Sequence, residues 1–562
     1  MRFPGCHVGE ARPRAVCPAH AFDTIDYPKA TDMISRTLCL LALVATLLAG
    51  CASVPPGADY PKTVSTAFAQ PEQTRLGRNF APAAAKLAGK SGFRILTDGV
   101  EGFLARAQLI AAAERSLDVQ YFIFRQDQTG RLLADAMLRA ADRGVRVRVL
   151  IDDGDTVPGD ARILALAAHP KIEIRVFNPF AYRGHAVSLR DFEFLLSGAR
   201  LDYRMHNKLF VVDNAVALLG GRNIGDEYFQ IDPMLQFGDD DVLAVGPVVR
   251  ELSSTFDEFW NSSLAIPGPA LANGEATEER LAALRHDLSE HRQSKKEQGI
   301  DYVGRIATGQ PLAGMLSGAL PLVWANATMV HDSPDKKGVV KGGVPGTLMH
   351  RPVADAATLV ESELLMVTPF LIPGVEGMRL LKGLRGRGVT VGILTNSLET
   401  NPELLAHSGY VRYRRALLDA GVALYEVRAR LGNTRGSGQT AAISRFGNYS
   451  LHAKLFVFDR KRVFIGSMNF DQRSMHLNTE VGLLIESVEL ARQTAARFES
   501  IARPENSYRV AFSAQDDRVA PRMVWQSIED GKPVEYDAEP ARSPEQRIKL
   551  RLLSILPLDS EL

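Results

Sequence analysis

Short apolar runs alternate along this chain with segments whose apolar residues recur every three or four positions, the two periods that separate strands from helices. Residues 93–96 open the series as a strand. Residues 101–114 predict a helix with Phe103, Leu104, Ala107 and Ile110 on one side; 117–123 predict a strand, 130–143 a helix, and 145–151 and 172–177 two more strands. The order returns at 364–370, 377–387, 389–394 and 422–427, at offsets that stay nearly constant. Strands alternating with helices imply a sheet covered on both faces. The expected fold class is therefore α/β, built as two duplicated lobes, each a mixed β-sheet flanked by helices, sharing one central site.

Within the second copy, residues 451–459 read as a strand carrying His452 and Lys454, followed by a tight charged turn at Asp459, Arg460 and Lys461 and a second strand ending near Asn469. Side chains two apart on a strand share a face, so His452 and Lys454 are expected to project into one space. A single His-x-Lys is more often a solvated face. This one occurs twice: His206, Lys208 and Asp213 precede Gly220, Gly221 and Asn223, and each Asn follows its His by 17 positions (223 − 206 and 469 − 452). Two such sets argue for a bipartite site, and imidazole, fixed cation and amide together suit a phosphate ester.

These two His-x-Lys-x4-Asp motifs, each with a downstream Gly-(Gly/Ser)-x-Asn, resemble the phospholipase D superfamily. Residues 220–229 and Asn478-Thr479-Glu480 resemble its cardiolipin synthase branch, in particular the C form, and the likeness runs from about Ser91 to the C-terminus. The resemblance implies a phospholipase D-like fold and a catalytic set of His206, His452, Lys208, Lys454, Asp213 and Asp459. His206 would be the nucleophile, forming a phosphatidyl-histidine, and His452 the general acid and base; the pseudo-symmetry of the halves leaves the reverse assignment open. Imidazole titrates near 6.5 and fits either task, and such proton transfer contributes about 10²–10⁴ in rate. Lys208, Lys454, Asn223 and Asn469 would hold phosphoryl oxygens, with Ser467 adding a hydroxyl where the first copy has Gly221. Asp213 and Asp459 stand an odd number of residues after their histidines, a spacing that turns them toward clamping the hairpin rather than reacting. Glu480, and Asp241 in the first lobe, are candidates to orient the imidazoles through their distal N–H. Of the other histidines only His407 invites a test. No carboxylate or cysteine cluster accompanies the motifs and the lysines supply the charge, so neither metal nor other cofactor is called for.

The activity implied is a phosphatidyltransferase that makes cardiolipin from phosphatidylglycerol plus a second phospholipid, phosphatidylethanolamine being one candidate. Water as acceptor would make it a phospholipase D releasing phosphatidic acid, and the motifs do not distinguish the two. A nuclease would need a basic groove with stacking aromatics. A net charge of +1 with 23% charged residues does not favour nucleic acid as a partner.

At 562 residues and 46% apolar content the chain is long enough for two substantial cores. Its four cysteines are Cys6, Cys17, Cys39 and Cys51, which excludes disulfides and thiolate metal sites from everything beyond. Arg36, the apolar run 38–48 and Leu48-Ala49-Gly50-Cys51 have the layout of a secretory signal and resemble a lipobox, with Cys51 lipidated. Residues 1–32 then read as a gene-model extension ahead of Met33, 33–50 as the signal and 51–90 as a Pro- and Ala-rich tether. Expected localisation is a lipoprotein anchored in a Gram-negative-type envelope, facing the periplasm, with Ala52 favouring the outer membrane. The main bacterial cardiolipin synthases differ in carrying two N-terminal transmembrane helices. Residues 91–266 are expected to form the first lobe, 267–346 a connector, 347–505 the second lobe and 506–562 a hairpin and tail. In the connector, 277–296 reads as a solvated charged helix and 332–338 as a flexible crossover, although Trp324 and 332–336 share the synthase resemblance. Residues 523–536 predict a hairpin about Asp530-Gly531, and 550–556 an apolar segment packing on the core.

Overall fold

Each half of the chain places three parallel strands at the middle of a sheet and wraps antiparallel strands around them. The computed structural model describes residues 54–87, 89–154, 160–184, 186–232, 234–272, 274–297, 314, 318–431, 448–513 and 521–555. The extension, the signal and Cys51 lie outside these residues.

The first lobe contains β1 (Ser91–Leu96), β2 (Ser116–Tyr121), β3 (Arg146–Asp152), β4 (Ile172–Phe177), β5 (Leu209–Val212), β6 (Val216–Gly220), β7 (Leu235–Gly238), β8 (Asp241–Val245) and β9 (Ala265–Pro267). Its sheet runs β9-β4-β3-β2-β5-β6-β8-β1, parallel through β2, β3 and β4. Next come β10 (Val323–His331), β11 (Glu363–Val367), β12 (Thr390–Asn396), β13 (Ala423–Val427), β14 (Asn448–Leu451), β15 (Leu455–Phe458), β16 (Arg462–Gly466), β17 (Val481–Glu486), β18 (Ser507–Phe512), β19 (Met523–Glu529) and β20 (Lys532–Tyr536). The second sheet, β10-β17-β16-β15-β11-β12-β13-β18-β19-β20, repeats the first and extends it. The duplicated α/β lobes expected from the pattern are present.

Among the described residues, two strand pairings cross between lobes. Strand β10 pairs through Val323–Ala325 with β1 and through Asn326–His331 with β17, and β7 pairs in parallel with β14. Between the sheets one apolar core joins Leu219, Val242 and Ala244 to Val457, Ile465 and Leu483. Burying each of the Val, Leu and Ile side chains contributes roughly 1.5–3 kcal/mol, so this core holds the two sheets together.

Helix starts follow side-chain caps: Asp98 accepts the Glu101 N–H, Asp127 that of Gly130 and Ser487 that of Leu490. The hairpin at Asp530-Gly531 forms as expected, with φ of 49° and 77° matching a two-residue turn that needs positive φ at both centres.

Three expectations are corrected. From Val54 onward the supposed tether lies along the first lobe: Lys62 donates to Ser262 O, Arg175 to Thr63 O and Ala67 N–H to Asp257, while Leu76 and Phe80 enter the core. The charged Glu278–Glu297 helix buries Leu281, Leu284 and Leu288, and Arg285 and Arg292 pair with Asp142 and Asp135 of the first lobe. Residues 332–338 are anchored rather than flexible, with Asp332 and Lys336 buried. The apolar segment near the C-terminus is the Pro544–Leu553 helix, which buries Leu550 and leaves Leu552 exposed; residues past 555 fall outside the description.

Candidate active site

Both His-x-Lys pairs sit just before a strand rather than inside one, correcting the strand reading: β5 begins at Leu209 and β15 at Leu455. The cause is that the histidine backbones bond to the opposite lobe. His206 N–H donates to Thr479 O at 2.9 Å and Thr479 N–H returns to Arg204 O at 2.9 Å, while His452 N–H donates to Gly238 O at 2.8 Å. Backbone donors must find partners, and these find them across the lobe boundary.

The side chains cross in the same way. His206 Nδ1 lies 2.9 Å from Glu480 Oε2, and His452 Nδ1 lies 2.6 Å from Asp239 Oδ2. Glu480 stands where an orienting carboxylate would, against the other lobe's imidazole. Asp241 does not: its carboxylate pairs with the buried Arg106 at 2.9 Å and Arg222 at 3.3 Å. Sheet register explains the miss. Gly220 pairs with Asp241 and Gly466 with Gly482, so the residue equivalent to Glu480 is Asp239, two positions earlier. The first copy carries five more residues between its glycine and its carboxylate (239 − 220 against 480 − 466), which breaks the constant offset.

Ser467 is also reassigned. Its hydroxyl donates to Glu480 Oε2 at 2.5 Å and accepts the Val481 N–H, and Ser474 Oγ donates to Glu480 Oε1 at 2.9 Å. Ser467 therefore holds the carboxylate, not a phosphate. At Gly221 a Cβ would stand 2.1 Å from Asp239 Oδ1, so the first copy has no room for a serine there.

Asp213 and Asp459 leave the catalytic set. Asp213 accepts the N–H groups of Glu114, Arg115 and Ser116; Asp459 accepts those of Glu361, Ser362 and Glu363. Both adopt positive φ, 54° and 52°, at their hairpins and tie each turn to the start of the neighbouring parallel strand. His407 is buried with Nε2 2.7 Å from Glu539, inside an ion network with Arg414, and serves the second lobe's packing.

Lys208 Nζ donates to His206 O at 2.6 Å; Lys454 Nζ stands 3.0 Å from His452 Nδ1 and 3.3 Å from Nε2. Asn223 accepts the Ile123 N–H and donates to Tyr228 Oη, whereas Asn469 Oδ1 is buried with no hydrogen-bond partner among the described residues. Aromatic edges frame the rings: Phe122 lies 5.1 Å from His206, and Tyr228 and Phe237 lie 5.2 and 5.1 Å from His452. Each imidazole is 7% exposed.

Burial, then the Lys454 charge, lowers His452 to about 3; burial, then Lys208 and Lys454, holds His206 well below its ordinary value. Both lysines thus bear on both rings. Burial also lowers Lys454 to about 8 and Lys208 well below the usual ammonium range. The carboxylates diverge. Burial alone would raise Asp239, yet His452 and Lys454 bring it to about 2, whereas burial carries Glu480 up to about 7 against the opposing pull of Lys208. Each Nδ1 faces a carboxyl group of the other lobe, which leaves Nε2 as the nitrogen turned toward the chemistry. The arrangement offers one nucleophile, one proton carrier and two lysine side chains whose charges act on both rings.

Beneath Glu480, Lys336 Nζ donates to Asp332 (2.9 Å), Ser474 O (2.7 Å) and Asn478 O (2.7 Å), and Asp332 accepts the Glu480 N–H at 3.0 Å. Among the described residues no group of three His, Cys, Asp or Glu is placed to hold a metal ion. Sequence reasoning missed Asp239, Tyr228, Phe122 and this brace. Only the family-like stretches 220–229 and 332–336 pointed toward two of them.

Residues 107–260 and 355–502 match the family model described as cardiolipin synthase, phospholipase D-like domain. Cardiolipin synthase C of Escherichia coli is 37% identical over 86% of this chain and 99% of its own length. An uncharacterized Helicobacter pylori protein is 29% identical over 87% of this chain and 93% of its own. Among solved structures, phosphatidylserine synthase of Haemophilus influenzae is 15% identical, covering 76% of this chain and 91% of that one, with a TM-score of 0.48.

Proposed function

The chain belongs to the cardiolipin synthase family with phospholipase D-like domains, and from that premise we propose that it is a phosphatidyltransferase joining phosphatidylglycerol to a second phospholipid to give cardiolipin. His206 Nε2 attacks the phosphorus of the donor lipid, the P–O bond to its head group breaks, and His452, entering the step as an imidazolium between the Asp239 carboxylate and the anionic phosphate, delivers its Nε2 proton to the leaving alkoxide. His452 then takes the proton from a glycerol hydroxyl of the acceptor. That oxygen attacks phosphatidyl-His206, and the imidazole leaves as the second phosphodiester forms. Lys208 and Lys454, with Asn223 and Asn469, stabilise the phosphoryl oxygens, where preorganised donors act strongly because they need no reorganisation.

One observation carries this reading: each lobe's histidine is oriented by the other lobe's carboxylate. The assignment of roles is supported by the carboxylates. Asp239, ionised down to about 2, favours an imidazolium at His452 whenever that ring accepts a proton, as an acid and base requires. The C-type family likeness supports transfer over hydrolysis, and Cys51 at its lipobox-like position supports a lipid-anchored enzyme at the periplasmic side of the outer membrane.

The test is incubation of the purified protein with phosphatidylglycerol vesicles, with and without phosphatidylethanolamine, beside plasmid DNA. Cardiolipin should appear by mass spectrometry with the head group released. Phosphatidic acid alone would convert the assignment to hydrolysis, and nicked DNA with untouched lipid would refute the lipid reading.

A further inference from the structure

The helix Val187–Leu201 turns its polarity inside out. Arg190 donates to Asp153 O and stacks over Phe180 at 4.2 Å, Glu193 accepts the N–H groups of Ala181 and Tyr182 at 2.8 Å, and Arg200 donates to Asn178 Oδ1 and Pro179 O at 2.8 Å. These charged residues face the protein. Leu189, Phe192, Phe194, Leu195 and Leu196 face outward, Leu195 at 80% and Phe192 at 57% exposure. Among the helix's described exposed residues Asp191 is the only charged one. A helix against water places its charges outward. This one is arranged for an apolar medium on its outer side.

The surroundings identify that medium. The C-terminal end of the helix is fixed to the wall of the active site: Asn178 donates to Arg200 O and Tyr203 O, Arg473 pairs with Asp202 at 2.7 Å, and His206 follows within a few residues. Lys337 donates to Ala199 O, which brings the exposed Val340, Lys341 and Val344 to the same rim. Apolar side chains bordered by lysines match the acyl region and anionic head groups of a bilayer. We infer that the Val187–Leu201 helix lies in the membrane interface beside the cleft mouth, where it delivers phospholipid head groups to His206. The inference rests on the phospholipid reading above.

A Phe192→Trp substitution in the full-length protein tests it. With vesicles of phosphatidylglycerol and phosphatidylethanolamine carrying brominated acyl chains, the added emission should be quenched beyond the wild-type background of Trp260, Trp324 and Trp525. Emission unchanged by bromination overturns the inference, even for a chain held at the vesicle by an anchor. In the second arm, Leu195→Glu with Leu196→Glu should lower cardiolipin formation from vesicles at least about tenfold while leaving turnover of a monomeric short-chain phosphatidylglycerol unchanged. Wild-type protein inactive on both lipids would refute the phospholipid reading, with quenching still deciding the helix. Active wild type with an equally active double variant on vesicles would refute the helix alone. If instead the double variant turns a dimer into a monomer by light scattering and quenching is absent, a second copy covers the face and the bilayer is excluded.

Discussion

Replacing Glu480 by Gln should change how stability depends on pH as well as abolish most activity. The carboxyl is buried, accepts hydrogen bonds from Ser467 and Ser474, faces His206 Nδ1 at 2.9 Å and is carried from its ordinary 4.5 to about 7. A folded-state value above the unfolded one means that folding takes up a proton between those two limits. The contribution of Glu480 to stability is then highest below about 4.5, falls as pH rises toward about 7 and levels off beyond. At about 1.4 kcal/mol for each factor of ten, the loss is about 3 kcal/mol. An amide cannot ionise, so the Glu480→Gln variant lacks this loss, although it forfeits some hydrogen bonds at every pH. Equilibrium urea denaturation at pH 5, 6, 7 and 8 should show the variant gaining on the wild type by about 2.5 kcal/mol across the range, whatever its starting deficit. Its turnover should fall by about 10²–10⁴, because His206 loses the group that fixes its tautomer. Parallel stability curves for the two proteins would refute the argument that burial raises the Glu480 carboxyl.

His206→Ala and His452→Ala should each eliminate cardiolipin formation while leaving the circular dichroism spectrum and thermal transition close to wild type; appreciable turnover in either removes the shared site. Asp239→Asn should lower kcat about 10²–10⁴ with little effect on KM, whereas Asp241→Asn should lower the melting temperature and spare kcat per folded molecule. Asp459→Ala strips three backbone N–H groups of their acceptor and should cost about 1–3 kcal/mol of stability in denaturant titration without altering the chemistry.

The duplicated lobes and the paired motifs were legible because hydrophobic period and turn chemistry are local properties, repeated at a separation of 246 residues between His206 and His452 (452 − 206). What escaped depends on contacts between distant segments. Asp239 was hidden by five extra residues that shift the sheet register relative to the second copy. The break of β5 and β15 at their histidines follows from bonds to Thr479 and Gly238, which no local pattern encodes. Lys336 looked like part of a loop until its partners Ser474 and Asn478, well over a hundred residues away, came into view. The Val187–Leu201 helix was not among the predicted elements, and the direction of its apolar face is set by Asp153 and Asn178, which lie outside the helix.

Whether the two imidazoles serve a single phosphoryl group is tested most directly by acid quenching the reaction with phosphatidylglycerol and locating the covalent adduct by peptide mass spectrometry. One phosphatidyl group per chain on the peptide bearing His206 in the wild-type protein, and none in the His206→Ala variant, is the predicted result. A separate adduct on each histidine, or an adduct on neither, would contradict the shared site.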